Sequence, residues 1–359
     1  MTKRCTCARG ERRVLGRAAA WLGAVGVLGV TGWGQITPTR TYYTVGGRVE
    51  VAVRDPGPDP KEPAGESVRP AEAAPGAALE IALHRSGEAA AIETASVLAG
   101  RVDLAALFPR LWKGEKPELL RAQLRRAGVA VGPPVVLQPL TAPARATPLD
   151  PSGVRQRFTP GAPAYFGGLR VYVDKQVVLV TTLGGMQIEL APEAAPNTAW
   201  NFRQLVEGGF YAGLTFHRVI GGDTPETGYV AQAGDPLGTG EGGPGYAIDL
   251  EPSTMLHDVG VVSMARLPAP DTAGSQFFIC LSRARCVPLD GGYAAFGRVV
   301  KGMEVVRAIA AAPTDARERP LTPIVITAAG LVDAPPIRAD GESAVPAAGD
   351  GGGKEDVGR

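Results

Sequence analysis

The sequence predicts a mostly β protein: a closed antiparallel barrel plugged by two helices, preceded by a smaller β-rich accessory domain. Three features point there. Glycine (48) and proline (32) make up about 22% of the 359 residues, a turn-rich composition that suits short strands and argues against a helical bundle. Apolar residues at 45% and charged residues at 20% allow a sizeable core and exclude wholesale disorder. Short alternating segments separated by Gly/Pro turns recur towards the C-terminus, with two stretches of helical period among them. A chain of this length has room for two domains at roughly 100–200 residues each.

Residues 1–34 carry Lys3, Arg4, Arg9, Arg12, Arg13 and Arg17 against Glu11, then an apolar stretch from Ala18 to Val30, then Gly32-Trp33-Gly34. That is the layout of a secretory signal peptide, or of a single N-terminal membrane anchor if it is not cut. A buried core helix is the plainer alternative, but glycines inside the stretch make a poor soluble helix. No apolar run reaches the ~18 residues of a membrane span, so a polytopic membrane protein is excluded. Removing the leader turns the overall charge of +1 into −4, which leaves no basic field for nucleic acid. Cys5 and Cys7 belong to the leader. Cys280 and Cys286 remain in a compartment that permits disulfides, and both a bridge and two buried free thiols stay open.

Three stretches read as linkers or tail by composition: residues 55–78, 141–168 and 334–359. They divide the chain into the leader (1–34), a β-rich accessory domain (35–140), a linker (141–170), a barrel domain (171–333) and a disordered tail (334–359). In the accessory part ALEIALHR (78–85) alternates like a half-buried strand, while ELLRAQLRRAG (118–128) fits a basic amphipathic helix or an alternating strand equally well. No motif before residue 165 carries chemistry.

In the barrel, VVLVTT (177–182) and MQIEL (186–190) read as a hairpin about a Leu183-Gly184-Gly185 turn. PNTAWNFRQLVEGG (196–209) reads as a helix that Asn197 can cap and Gly208-Gly209 ends. Strands follow at FHRVI (216–220), YVAQAG (229–234), GVVSMA (260–265), SQFFICL (275–281) and AAFGRVV (294–300). MEVVRAIAAA (303–312) is the second helix, and PIVITAAGLV (323–332) closes the barrel.

Those segments, in this order, resemble the cyclophilin family of peptidyl-prolyl cis–trans isomerases. The resemblance rests on APNTAWNF, FYAGLTFHRVI (210–220), AQAGDPLGTGEGGPGY (231–246), GVVSMA, GSQFFICL (274–281) and LDGGYAAFGRVVKGMEVV (289–306). It covers a little under half the chain and implies a cyclophilin-like barrel, rotation of X-Pro bonds and no cofactor or metal.

The implied chemistry agrees with physical need. Rotating a peptide bond crosses a barrier of about 18–20 kcal/mol because the twist breaks amide resonance, whereas the two X-Pro isomers differ by only about 0.5–1 kcal/mol. A fixed donor that stabilises the lone pair regained by the twisted prolyl nitrogen therefore suffices, without nucleophile, metal or cofactor. The resemblance assigns that task to Arg218, whose guanidinium is rigid and always charged. It assigns the proline pocket to Tyr229, Val230, Phe278 and Leu289, and the orienting of arginine and substrate to Gln232. Gln276 becomes a polar lining residue, and Ala265 and Arg266 the edge that pins an extended substrate through main-chain bonds.

The chain departs from the pattern in places. Arg266 stands where Asn is usual, Tyr293 where His is common, and Tyr229 where Phe is. Pro288 stands where many members have Trp, so weak or no inhibition by cyclosporin is expected. GGDTPETG (221–228) lengthens a loop beside the site. Other signals are set aside. GTGEGG (238–243) fits a phosphate-loop pattern but has no helix to receive a phosphate. His217 reads as structural, His84 and His257 lie in no ligand spacing, and Ser263 and Ser275 show no triad pattern.

The expectation is an exported bacterial protein, periplasmic or envelope-bound and monomeric, that isomerises Pro-containing segments of other proteins. The rival is a catalytically weak cyclophilin-like module that binds such segments without turning them over.

Overall fold

The computed structural model describes residues 35–55, 78–113, 117–161, 165–222 and 227–337. The leader with Cys5 and Cys7, most of the 55–78 stretch, the middle of the GGDTPETG loop and the chain beyond residue 337 lie outside the described residues. Among the described residues no helix is long and apolar enough to cross a membrane.

Eight antiparallel strands build the C-terminal half. Their spatial order is Phe216–Val219, Val230–Ala233, Phe277–Cys280, Val261–Met264, Ala295–Lys301, Gly184–Leu190, Lys175–Thr181 and Ile326–Asp333. The sheet is a half-barrel and not the closed barrel expected. Its edge strands share no ladder and are joined at one end alone, by an isolated bridge between Thr215 and Val325 and by backbone hydrogen bonds from Phe216 N–H to Ile324 O at 2.9 Å and from Ile326 N–H to Leu214 O at 2.8 Å. The cause is local: past that bridge the Val219 N–H donates to Glu318 O at 2.7 Å, so a turn occupies the edge that a closing strand needs.

Helices Pro196–Glu207 and Met303–Ala310 pack on the core as their apolar periodicity predicts, burying Phe202 and Val206 from one and Val305, Val306 and Ile309 from the other. Phe202 sits centrally, with ring centroids 5.0 Å from Tyr211, 5.2 Å from Phe277 and 4.9 Å from Phe296. Asn197 is not the cap of the first helix. Ala195 holds the cap position, and the Glu251 carboxylate takes the exposed N–H groups of Asn197 at 3.0 Å and Thr198 at 2.8 Å. A carboxylate there also complements the helix dipole. The second helix starts at Gly302, where φ is +85° and a Cβ would lie 2.3 Å from Gly185 O, so only glycine fits.

The N-terminal half is also β-rich and has its own apolar cluster, with Ile36, Val51, Ile81, Leu83, Leu124 and Leu137 in it. One sheet orders Tyr42–Thr44, Phe166–Val173, Val135–Thr141, Leu120–Arg126, Leu79–Arg85 and Ala91–Val97; a three-stranded sheet holds Gln35–Pro38, Glu50–Arg54 and Gly100–Asp103. ELLRAQLRRAG resolves as a strand, since Leu120, Ala122 and Leu124 alternate into the cluster.

The stretch read as a linker is structured: Arg145–Pro148 pairs with Gln156–Thr159, and Phe166–Val173 joins the large sheet. Of its described prolines, Pro148 ends a strand and Pro143, Pro151 and Pro160 lie outside the strands. The two halves are tied by the buried Arg121, which donates to Asp174 at 2.9 Å and Glu193 at 3.2 Å.

Candidate active site

Strand alternation builds the site. Phe216, Ala233, Phe277 and Met264 oppose one another and face the core, as do Val219, Ala231, Ile279 and Val262. The residues between them face outward: Arg218 pairs with Gln232, Gln232 with Phe278, and Phe278 with Ser263. Register partners on antiparallel strands share a face. Arg218, Gln232 and Phe278 therefore form one row across three strands.

Phe278, 4% exposed, is the floor of an apolar cluster with Val230, Leu289, Tyr229, Ala265 and Tyr293. Tyr293 meets it edge-on at 5.7 Å between centroids. Arg285 lies over the Tyr229 ring at 5.6 Å, and the Cys286 thiol donates to Tyr229 O at 3.3 Å, which fixes that wall. Cys280 and Cys286 are both free and buried, so no bridge forms. Pro288 is exposed in the 3₁₀ turn Val287–Leu289, whose Leu289 turns into the pocket.

Beneath the floor lies an arrangement the sequence did not disclose. His257 stacks under Phe278 at 6.0 Å, with Nε2 3.0 Å from Ser263 Oγ and Nδ1 3.1 Å from Asp290 Oδ1. The sequence carries no triad pattern, and the Ser263–His257–Asp290 chain is not a triad open to substrate, because Ser263 and His257 are fully buried. They brace Phe278. Burial pushes the His257 pKa down despite Asp290, while hydrogen bonds from Arg283, aided by His257, hold Asp290 down to about 2.

Arg218 is half exposed, and its Nε donates to Glu318 Oε2 at 2.7 Å. Glu318 sits at φ +63° in a turn closed by its N–H to Asp315 O at 3.0 Å. On the opposite side Gln232 Nε2 donates to Gln276 Oε1 at 2.8 Å, which leaves Gln232 Oε1 as the end able to accept from a guanidinium. Gln276 is held by Gly240 O at 2.9 Å and Gly242 O at 2.8 Å. GTGEGG thus serves as a seat for Gln276. Asp235 orders that loop: burial works against its charge, yet the N–H groups of Leu237, Gly240, Gly242 and Thr239 outweigh it and lower the pKa.

Arg266 borders the pocket but its guanidinium is engaged, with Nε 3.0 Å from Gly292 O, Nη1 2.9 Å from Leu267 O and Cζ 4.5 Å from the Tyr293 ring centroid. His217 is buried, and that burial lowers its pKa. Among the described residues no group of three or more His, Cys, Asp or Glu side chains is placed to hold a metal. Glu318, Asp235 and the His257 brace escaped the sequence reading. Glu318 reaches Arg218 across 100 positions and Asp290 reaches His257 across 33, whereas Asp235 acts within its own loop.

Comparison with known proteins finds relatives over the C-terminal half. The family described as "Cyclophilin type peptidyl-prolyl cis-trans isomerase/CLD" matches residues 176–331. Peptidyl-prolyl cis-trans isomerase-like 1 of Neurospora crassa is 39% identical over 161 residues, 44% of this chain and 93% of that protein. Peptidyl-prolyl cis-trans isomerase B of Bacillus subtilis is 46% identical over 124 residues, 34% of this chain and 80% of that protein. A crystal structure of a cyclophilin-type isomerase from Cryptosporidium parvum aligns with a TM-score of 0.41 and 32% identity, covering 45% of this chain and 99% of that one.

Proposed function

The chain belongs to the cyclophilin-type peptidyl-prolyl cis–trans isomerases, and on that premise we propose that Arg218 carries the reaction by stabilising a twisted X-Pro amide seated over the Phe278 pocket. The observation that carries this reading is the row Arg218–Gln232–Phe278 across adjacent strands. A proline ring on Phe278 brings its amide beside the guanidinium. As the bond twists, resonance is lost and the prolyl nitrogen becomes an acceptor. A donor already fixed in place stabilises that state more than either planar isomer, which is the condition for acceleration. The equilibrium between isomers is left unchanged.

Substrates on this reading are Pro-containing segments of other proteins, bound extended along the Ala265–Arg266 edge, with slow prolyl steps in folding as the process served. The basic and apolar leader supports export to the periplasm or cell envelope, by cleavage or as a single anchor, in a bacterium. The protein acts as a monomer, with residues 35–140 as an accessory domain.

The test is isomerisation of a blocked Ala-Pro peptide followed by NMR exchange, wild type beside Arg218→Ala. Removing one preorganised donor is expected to cost about 10²–10³-fold in rate. A variant within about threefold of wild type removes Arg218 from the mechanism. Binding without acceleration by the wild type assigns the pocket to recognition alone.

A further inference from the structure

One edge of the site is built from a segment that lies outside the family match at residues 176–331. Arg145–Pro148 and Gln156–Thr159 form an antiparallel hairpin whose cross-strand pair, Ala146 and Phe158, packs against the barrel core. The hairpin is thereby fixed to the barrel, and its connecting loop, residues 149–155, reaches the Arg266–Tyr293 side of the pocket. Three separate contacts seat it. Arg266 Nη2 donates to Gly153 O at 2.5 Å and to Gly292 O at 2.6 Å. Gly153, at φ +65°, lies so close to the barrel that a Cβ would stand 1.9 Å from Pro268 O. Gly292 in turn faces the loop, where a Cβ would stand 1.9 Å from Val154 O.

The path from the pocket outward is continuous. Phe278 meets Tyr293, Tyr293 carries the Arg266 guanidinium on its ring, and Arg266 holds Gly153. Arg266 and Tyr293 are two of the positions at which the sequence departs from the family pattern, and both belong to this clasp. Held by the carbonyls of Gly153, Leu267 and Gly292, the guanidinium has no freedom to swing aside for a substrate side chain. The Gly153 carbonyl is also taken by Gln156 Nε2 at 2.6 Å, so it offers no open acceptor to a substrate. An extended segment advances about 3.3 Å per residue, and the steps of 5.7 Å from Phe278 to Tyr293 and 4.5 Å from Tyr293 to Arg266 put the loop within a few residues of the proline rather than at its immediate neighbour.

We infer that the 149–155 loop is the outer wall of the substrate groove on the Arg266–Tyr293 side and selects prolyl segments that carry a small residue, glycine or alanine, at that edge. This rests on the isomerase reading of the pocket. The wall acts by exclusion, because a bulky residue there must displace the loop and break the Arg266 clasp.

The test uses the full chain with residues 149–155 replaced by Asn-Gly, a two-residue turn that keeps the hairpin and its Ala146–Phe158 anchor. Two blocked peptide series are compared, one varying Gly, Ala and Phe at each of the three positions before the proline and the other at each of the three after it. Affinity is read from NMR titration and turnover from exchange. Wild type is expected to disfavour Phe by about tenfold or more in one series only, and the loop replacement to reduce that to about threefold or less. Gly153→Ala, which must lift the loop, shifts discrimination in the same direction and serves if the replacement does not fold. Equal treatment of Gly and Phe by wild type in both series overturns the inference, as does discrimination that survives both variants. Selective binding without exchange upholds the wall and rejects the catalytic reading, so the two fail separately.

Discussion

Glu318→Ala isolates how the Arg218 guanidinium, proposed above to carry the reaction, is aimed. Glu318 grips Arg218 Nε at 2.7 Å, and its own backbone is pinned by the Val219 N–H at 2.7 Å. As a stability element the pair is weak: the side chains are 43% and 41% exposed, so its loss is expected to cost under about 1 kcal/mol. Alanine adds no backbone strain, because glutamate already bears the left-handed conformation at φ +63°. The kinetic effect is larger. An unrestrained arginine recovers up to about 2 kcal/mol of rotamer entropy, which must be lost again on reaching the transition state. At about 1.4 kcal/mol per tenfold, recovering between a third and all of that entropy lowers kcat by roughly 3- to 30-fold. KM should change little, since the planar ground state does not depend on the same alignment. Glu318→Gln keeps an acceptor oxygen and should fall between wild type and alanine. NMR exchange gives kcat, and urea unfolding at pH 7 gives the stability change. An unchanged kcat in Glu318→Ala refutes the aiming role; a raised kcat means that Glu318 competes with substrate for Arg218.

Two further outcomes follow from the supports around the site. Asp290 is held down to about 2 from an ordinary 3.8, a depressed carboxylate whose stabilisation is present above about pH 4 and lost as pH falls towards 2. Asp290→Asn should therefore cost up to about 2 kcal/mol at pH 7, with a gap to wild type that narrows below pH 4 in thermal unfolding; a gap constant with pH excludes the ion pair as its source. His257, lowered by burial, adds a loss of stability in both proteins as pH drops below its unfolded value of 6.5, because the unfolded chain takes up the proton first. Glu251→Ala strips the N–H groups of Asn197 and Thr198, and the hydroxyl of Thr198 at 2.8 Å, of their acceptor. It should lower stability by about 1–2 kcal/mol in urea titration, and a neutral result shows that water serves equally well.

What was legible in the sequence was whatever alternation and local motifs encode. YVAQAG and SQFFICL place one residue in two outward, FHRVI does so past a bulge between Phe216 and Arg218, and antiparallel pairing then aligns Arg218, Gln232 and Phe278. What was not legible depends on turns that bring distant segments together. Glu318 reaches Arg218 across 100 positions, Glu251 reaches Asn197 across 54, and Arg266 reaches Gly153 across 113. The half-barrel follows the same logic: the closing strand has the expected apolar pattern, but the Glu318 carbonyl, supplied by a Pro/Arg-rich turn with no strand character, takes the edge first. The misread linker shows the converse error. Residues 141–170 look like a spacer because they hold five prolines and show no apolar periodicity, yet the stretch forms a hairpin loop tight enough that glycine alone fits at Gly153. Departures from the family pattern are thus informative beyond the pocket. Arg266 makes little sense as a substrate ligand with its donors already engaged, and good sense as the barrel's half of a clasp whose other half lies more than a hundred residues upstream.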